Sequence, residues 1–135
     1  MVMKKVVVRK PLFWMGGTRQ AVRDFPSGVR RTIGFALGQA QEGGKYAHAK
    51  PLKGFGGAGI LEIVEDYTGN TYRAVYTVRF AGTVYVLHTF QKKSKHGSKT
   101  PQHEIDLVKE RLKRAETHYA QWRATQKENG TTQDD

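Results

Sequence analysis

Apolar and polar positions alternate through the middle of the chain. Residues 60–66, 72–80 and 83–90 carry the period-two pattern of half-buried strands, rich in Val, Ile, Tyr, Thr and Phe. Tyr67-Thr68-Gly69-Asn70-Thr71 and Ala81-Gly82 separate them as turns. If Ala81-Gly82 is a two-residue loop, Phe80 opposes Thr83 and Val75 opposes His88. Arg73, Val75, Thr77 and Arg79 then share one face with Val84, Val86, His88 and Phe90. The other face holds Tyr72, Tyr76, Val78, Phe80, Tyr85 and Leu87. The second face is more apolar and is expected to pack on helices, leaving the first partly exposed and basic.

The flanking segments have helical spacing. Residues 4–14 read as a first strand, kinked or at a sheet edge because Pro11 cannot donate to a ladder. After the Gly16-Gly17 turn, Thr18 is expected to cap a short helix that runs to about Phe25. Ser27 is expected to cap a second, which runs to about Gln41. That helix places Val29, Ile33, Ala36, Leu37 and Ala40 on one stripe. Its internal Gly34 and Gly38 cost about 1 kcal/mol each relative to alanine unless another element approaches closely, which is the expected reason for them. Residues 45–59 form a glycine-rich loop with Lys45, His48, Lys50 and Lys53, without a phosphate-loop motif. Beyond Thr100-Pro101, read as an N-cap and first helical residue, Ile105, Val108, Leu112, Ala115, Tyr119 and Trp122 form a seam. The resulting rod of roughly 35 Å is longer than a small domain needs, so its far end is expected to meet a partner chain. The chain thus reads as one α+β domain over residues 1–126, with residues 127–135 as a disordered polar tail.

Charge narrows the range of partners. The formal net charge is +11. Residues 1–100 hold 17 Lys and Arg against 5 Asp and Glu, and the remainder 6 against 7. Four lysines, Lys92, Lys93, Lys95 and Lys99, follow the last strand within eight residues. A field of this sign attracts phosphate backbones first and acidic proteins second. The absence of cysteine excludes disulfides and thiol chemistry and suits a reducing cytosol. No apolar run is long enough to span a membrane, so a soluble, cytoplasmic protein is expected.

The five histidines show no metal-ligand spacing, no GxSxG is present, and acids are scarce in the strands. Neither a metal nor another cofactor is therefore expected. What remains is chemistry driven by cations, for which metal-free RNA cleavage is a fit. Arginine and lysine would stabilise the phosphorane, and histidine or lysine would move protons. Arg73, His88, Lys92 and Lys93 supply those types, while Arg79, Lys95 and Lys99 would hold the RNA. Each has a plainer reading as well: His88 packed between valines, Arg73 paired with Glu62 or Glu65, and the lysines as a solvated loop.

The order Leu52-Lys53-Gly54, Leu61-Glu62-Ile63, Tyr72-Arg73-Ala74-Val75-Tyr76, Val86-Leu87-His88-Thr89-Phe90-Gln91-Lys92-Lys93-Ser94 and Thr100-Pro101 before a helix resembles the RelE/ParE superfamily of type II toxins. It is most similar to the HigB-like, phage-derived branch, over about residues 12–120. The resemblance implies a small antiparallel or mixed sheet on two N-terminal helices with a long C-terminal helix. It also implies ribosome-dependent, metal-free mRNA cleavage, with the ribosome and mRNA as partners. A cognate antitoxin, often a helix-turn-helix protein, would form a hetero-oligomer with the toxin. Arg73 would stabilise phosphate charge, Lys53, Lys92 and Lys93 would hold RNA, and His88 would carry a proton. Many relatives have an arginine where this chain has Val64. Two alternatives stay open: a ParE-like, non-nuclease inhibitor of DNA gyrase and a non-catalytic RNA-binding module.

Overall fold

A computed structural model describes residues 8–56, 59–93 and 99–133. Its five strands are β1 (Leu12–Trp14), β2 (Lys50–Pro51), β3 (Ile60–Tyr67), β4 (Asn70–Thr77) and β5 (Val84–Lys92). The helices are α1 (Thr18–Arg23), α2 (Ser27–Gln41) and α3 (Gln102–Gln133). The sheet order is β1-β5-β4-β3-β2, with β1 parallel to β5 and the other pairs antiparallel. This is the expected mixed α+β architecture. β1 starts just after Pro11 and lies at an edge, where a missing donor is harmless. Residues 4–7 of the expected first strand lie outside the described residues.

The stripe read for α2 is the stripe it buries: Val29, Ile33, Ala36, Leu37 and Ala40 are each at most 1% exposed. Together with Val22 they pack on Ile63, Tyr72, Ala74, Tyr76, Val84 and Val86. Neither expected cap forms. Gly17 and Pro26 occupy the cap positions, without a side-chain cap bond. Thr18 instead faces β5, where its carbonyl accepts from the Thr89 hydroxyl at 3.2 Å. Nor does close packing explain Gly34 and Gly38, because a Cβ added at either would meet nothing within 4 Å.

The β4–β5 register explains a second correction. Val75 opposes His88 as expected, but Tyr76 opposes Val86 and Thr77 opposes Tyr85, so Leu87 is an extra residue on β5. This bulge reverses the side-chain parity of everything before it on the strand. Val84 and Val86 therefore join Tyr76 under α2, while Tyr85 and Leu87 turn to the opposite face with Val75. The Ala81-Gly82 turn does form, closed by the Thr83 amide on the Phe80 carbonyl at 3.1 Å. The paired strands, however, stop at Thr77 and resume at Val84.

That opposite face is not bare. α3 covers it, with Val108 and Ala115 fully buried against Leu52, Ile60, Val75, Phe80, Tyr85 and Leu87. The layers are therefore α1 and α2, the sheet, and α3. α3 has 32 residues, or about 48 Å, and it continues through most of the segment 127–135 that was expected to be disordered. From Arg123 through Asn129 every residue is exposed, which fits the polar composition of that stretch.

Candidate functional site

Three cross-strand rows cross the α3 face of the sheet. The first is Lys50, Glu62, Val75 and His88; the second is Val64, Arg73 and Phe90; the third is Asp66, Thr71 and Lys92. Arg73 and His88 lie in adjacent rows on one face, as the register argument expected. They do not line an open surface, since Arg73 is 2% and His88 7% exposed. The N-terminal turn of α3 lies over them.

Each is held by its own polar network. Arg73 Nη1 donates to Glu62 Oε1 at 3.2 Å and to Thr100 Oγ1 at 3.1 Å, and the Thr100 hydroxyl donates to Glu62 Oε2 at 2.6 Å. The Glu62 pairing is one of the plainer readings open from sequence. Thr100 was expected to cap α3, yet its hydroxyl is committed to the sheet. The ladder of α3 starts instead at the Pro101 carbonyl, which accepts from the amides of Glu104 and Ile105.

His88 lies between two α3 residues. Arg111 Nη1 donates to its Nδ1 at 2.7 Å, and its Nε2 meets Glu104 Oε2 at 2.5 Å. Arginine only donates, so Nδ1 is an acceptor and the proton sits on Nε2, donated to Glu104. The ring is neutral. Burial, the largest influence, pushes its pKa below the ordinary 6.5 despite the opposing effect of Glu104. Arg111 also donates to the Leu87 carbonyl at 3.2 Å, and its guanidinium passes Gly16 so closely that a Cβ there would come within 3.1 Å. Gly16 also has φ +59°, a left-handed backbone conformation that favours glycine.

With both ring nitrogens bonded and the ring covered, His88 in this arrangement orients α3 and has no path to a substrate proton. Arg73 is likewise engaged with a carboxylate. The accessible charge lies at the Lys92 end of the face. Lys92 is half-buried, with Nζ 3.4 Å from the Lys99 carbonyl, and Lys93 and Lys99 are exposed. Phe90 stacks on His88 at 5.0 Å, and Val64, 39% exposed, occupies the surface beside Arg73. Lys95 lies outside the described residues.

The expected site residues do not all converge. Lys53 and Arg79 sit by the start of β3, where Gly59 abuts Arg79. Along β4, Arg73 to Thr77 already spans about 13 Å, and Arg79 lies beyond. The lysine cluster is at the other end, with Lys92 opposite Thr71. A flexible RNA strand can touch both ends, but one phosphate cannot.

Glu104 and Arg111 were not assigned to this site from sequence. The signal was available: Glu104, Val108, Arg111 and Ala115 follow steps of four, three and four and so share a helix face. Among the described residues no group of three His, Cys, Asp or Glu has metal-holding geometry. None of the described helices is long and apolar enough to cross a membrane.

No curated protein and no solved structure matches the chain. A family does: Phage derived protein Gp49-like (DUF891) matches residues 20–113, which include α2, all of β2 to β5 and the part of α3 that carries Glu104 and Arg111. That span is more than half of the chain, which therefore belongs to the phage-derived Gp49-like family.

Proposed function

We propose that this protein is the toxin of a type II toxin–antitoxin pair and blocks translation by cutting mRNA on the ribosome. The observation that carries the reading is the lysine cluster at the Lys92 end of the α3 face, where Lys93 and Lys99 are exposed and Lys92 is half-buried. Family membership and a net charge of +11 support it. RNA would lie along these lysines, and Lys53 and Arg79 would take more distant phosphates. In the reaction, the 2′-hydroxyl oxygen attacks the adjacent phosphorus. Its proton leaves to a base, the bond to the 5′-oxygen breaks, and that oxygen is protonated, giving a 2′,3′-cyclic phosphate and a 5′-hydroxyl. Lys92 and Lys93 stabilise the added negative charge. Arg73 and His88 position the strands and α3 beneath them, and the ribosome supplies alignment of the strand. A cognate helix-turn-helix antitoxin and a cytoplasmic location complete this reading.

One observation favours a second reading, a translation inhibitor that binds RNA without cutting it. Two of the four side chains expected to do chemistry, Arg73 and His88, are buried and bonded to carboxylates. Induced expression followed by primer extension on a reporter mRNA separates the two. Nuclease action produces new 5′ ends that require ribosomes and disappear in Lys92→Ala/Lys93→Ala. Growth arrest with intact mRNA supports the second reading, and unchanged translation at micromolar protein defeats both.

A further inference from the structure

On the opposite side of the sheet, α1, α2 and edge strand β1 enclose a groove of about 230 Å³. Its floor is apolar, built from Leu12, Trp14, Val22, Ile33 and Leu37, and Arg19, Arg23 and Arg30 stand around it. These arginines are exposed, and none of the three makes an ion pair among the described residues. The groove is smaller than the roughly 300–1,000 Å³ of small-ligand sites, a size suited to one or two side chains of a protein partner. Gly34 forms part of the wall. The fold does not need glycine there, since a Cβ would enter open space. A helix-interior glycine costs about 1 kcal/mol relative to alanine, and its effect here is to leave the mouth unobstructed.

We propose that this groove docks the apolar anchor of an acidic, amphipathic segment of another protein, with its carboxylates paired to Arg19, Arg23 and Arg30. Charge selects this occupant over the alternatives. Residues 1–7 carry Lys4 and Lys5 and no acid, and a second copy of the chain brings another +11. An apolar floor offers nothing to a nucleic-acid backbone, whereas an amphipathic segment satisfies floor and rim together. The groove lies across the sheet from Lys92 and Lys93, so it can be filled while the lysine face stays open. The inference does not depend on nuclease activity.

The test pans a phage-displayed library of random 15-residue peptides on the full-length protein. Affinities of the enriched, fluorescein-labelled peptides are then measured by fluorescence polarisation. Peptides that combine carboxylates with apolar residues, and that bind Gly34→Gln and Arg19→Glu/Arg30→Glu at least tenfold more weakly than wild type, are expected. Gly38→Ala, which changes α2 outside the groove, leaves affinity unchanged. Thermal melts accompany each variant; if Gly34→Gln fails to fold, the exposed arginine pair decides. Enrichment of neutral or basic peptides, no enrichment, or binding indifferent to these changes overturns the proposal. So does an oligouridine probe that alone loses binding in the arginine variant.

Discussion

Glu62→Ala should destabilise the protein out of proportion to the size of its side chain. Glu62 accepts from Arg73 at 3.2 Å and from the Thr100 hydroxyl at 2.6 Å, and the Arg73 and Glu62 side chains are only 3% and 11% exposed. Solvent screening therefore offers little relief. Removing one partner of a buried ion pair costs about 3–5 kcal/mol, because the remaining charge stays desolvated without its counter-charge. For a domain of this size each kcal/mol lowers Tm by about 3 °C, so a loss of about 10 °C or more is expected. Replacing both partners by Met removes the stranded charge and should recover most of the loss. The assay is urea and thermal denaturation followed by circular dichroism for wild type, Glu62→Ala, Arg73→Met and Glu62→Met/Arg73→Met. A loss below about 1 kcal/mol for Glu62→Ala, or a double variant no better than the singles, would refute the reasoning. The result also bears on function, because inactivity of an Arg73 variant means little if that variant is unfolded.

Other outcomes follow from the same structure. Because the folded pKa of His88 lies below 6.5, the unfolded chain takes up the proton first; stability is held above about pH 6.5 and falls as pH drops below it. Tm measured between pH 7.5 and 5.5 should show that fall, and His88→Gln should flatten it. Tyr76 is fully buried, its hydroxyl finds no partner among the described residues, and burial pushes its pKa up to about 12. Tyr76→Phe should therefore raise unfolding free energy by about 1 kcal/mol, and a loss of that size in denaturant titration would contradict the geometry. Gly34→Ala and Gly38→Ala should each add up to about 1 kcal/mol, read by the same titration, since neither new methyl meets a neighbour.

What the sequence by itself determined is whatever depends on local spacing and composition. The α2 stripe at Val29, Ile33, Ala36, Leu37 and Ala40 was legible because helical periodicity and burial coincide. The three central strands were legible from period-two alternation, and the basic first hundred residues from counting. Val75 opposite His88 matches the register expected from a two-residue turn, but the pairs nearer the turn, Tyr76 with Val86 and Thr77 with Tyr85, are shifted by one. Tertiary structure alone decided which face each β5 residue serves, because one bulge at Leu87 reverses parity and leaves no mark in an alternating pattern. It also decided that α3 lies over Arg73 and His88. Those contacts join residues 27 and 23 apart, Arg73 with Thr100 and His88 with Arg111, and they depend on how the helix docks, which spacing within either element does not encode. The hydroxyls of Thr18 and Thr100 had the pattern of helix caps. Long-range packing left the first without a partner among the described residues and committed the second to Glu62, since a residue pressed against the sheet cannot turn back to its own helix.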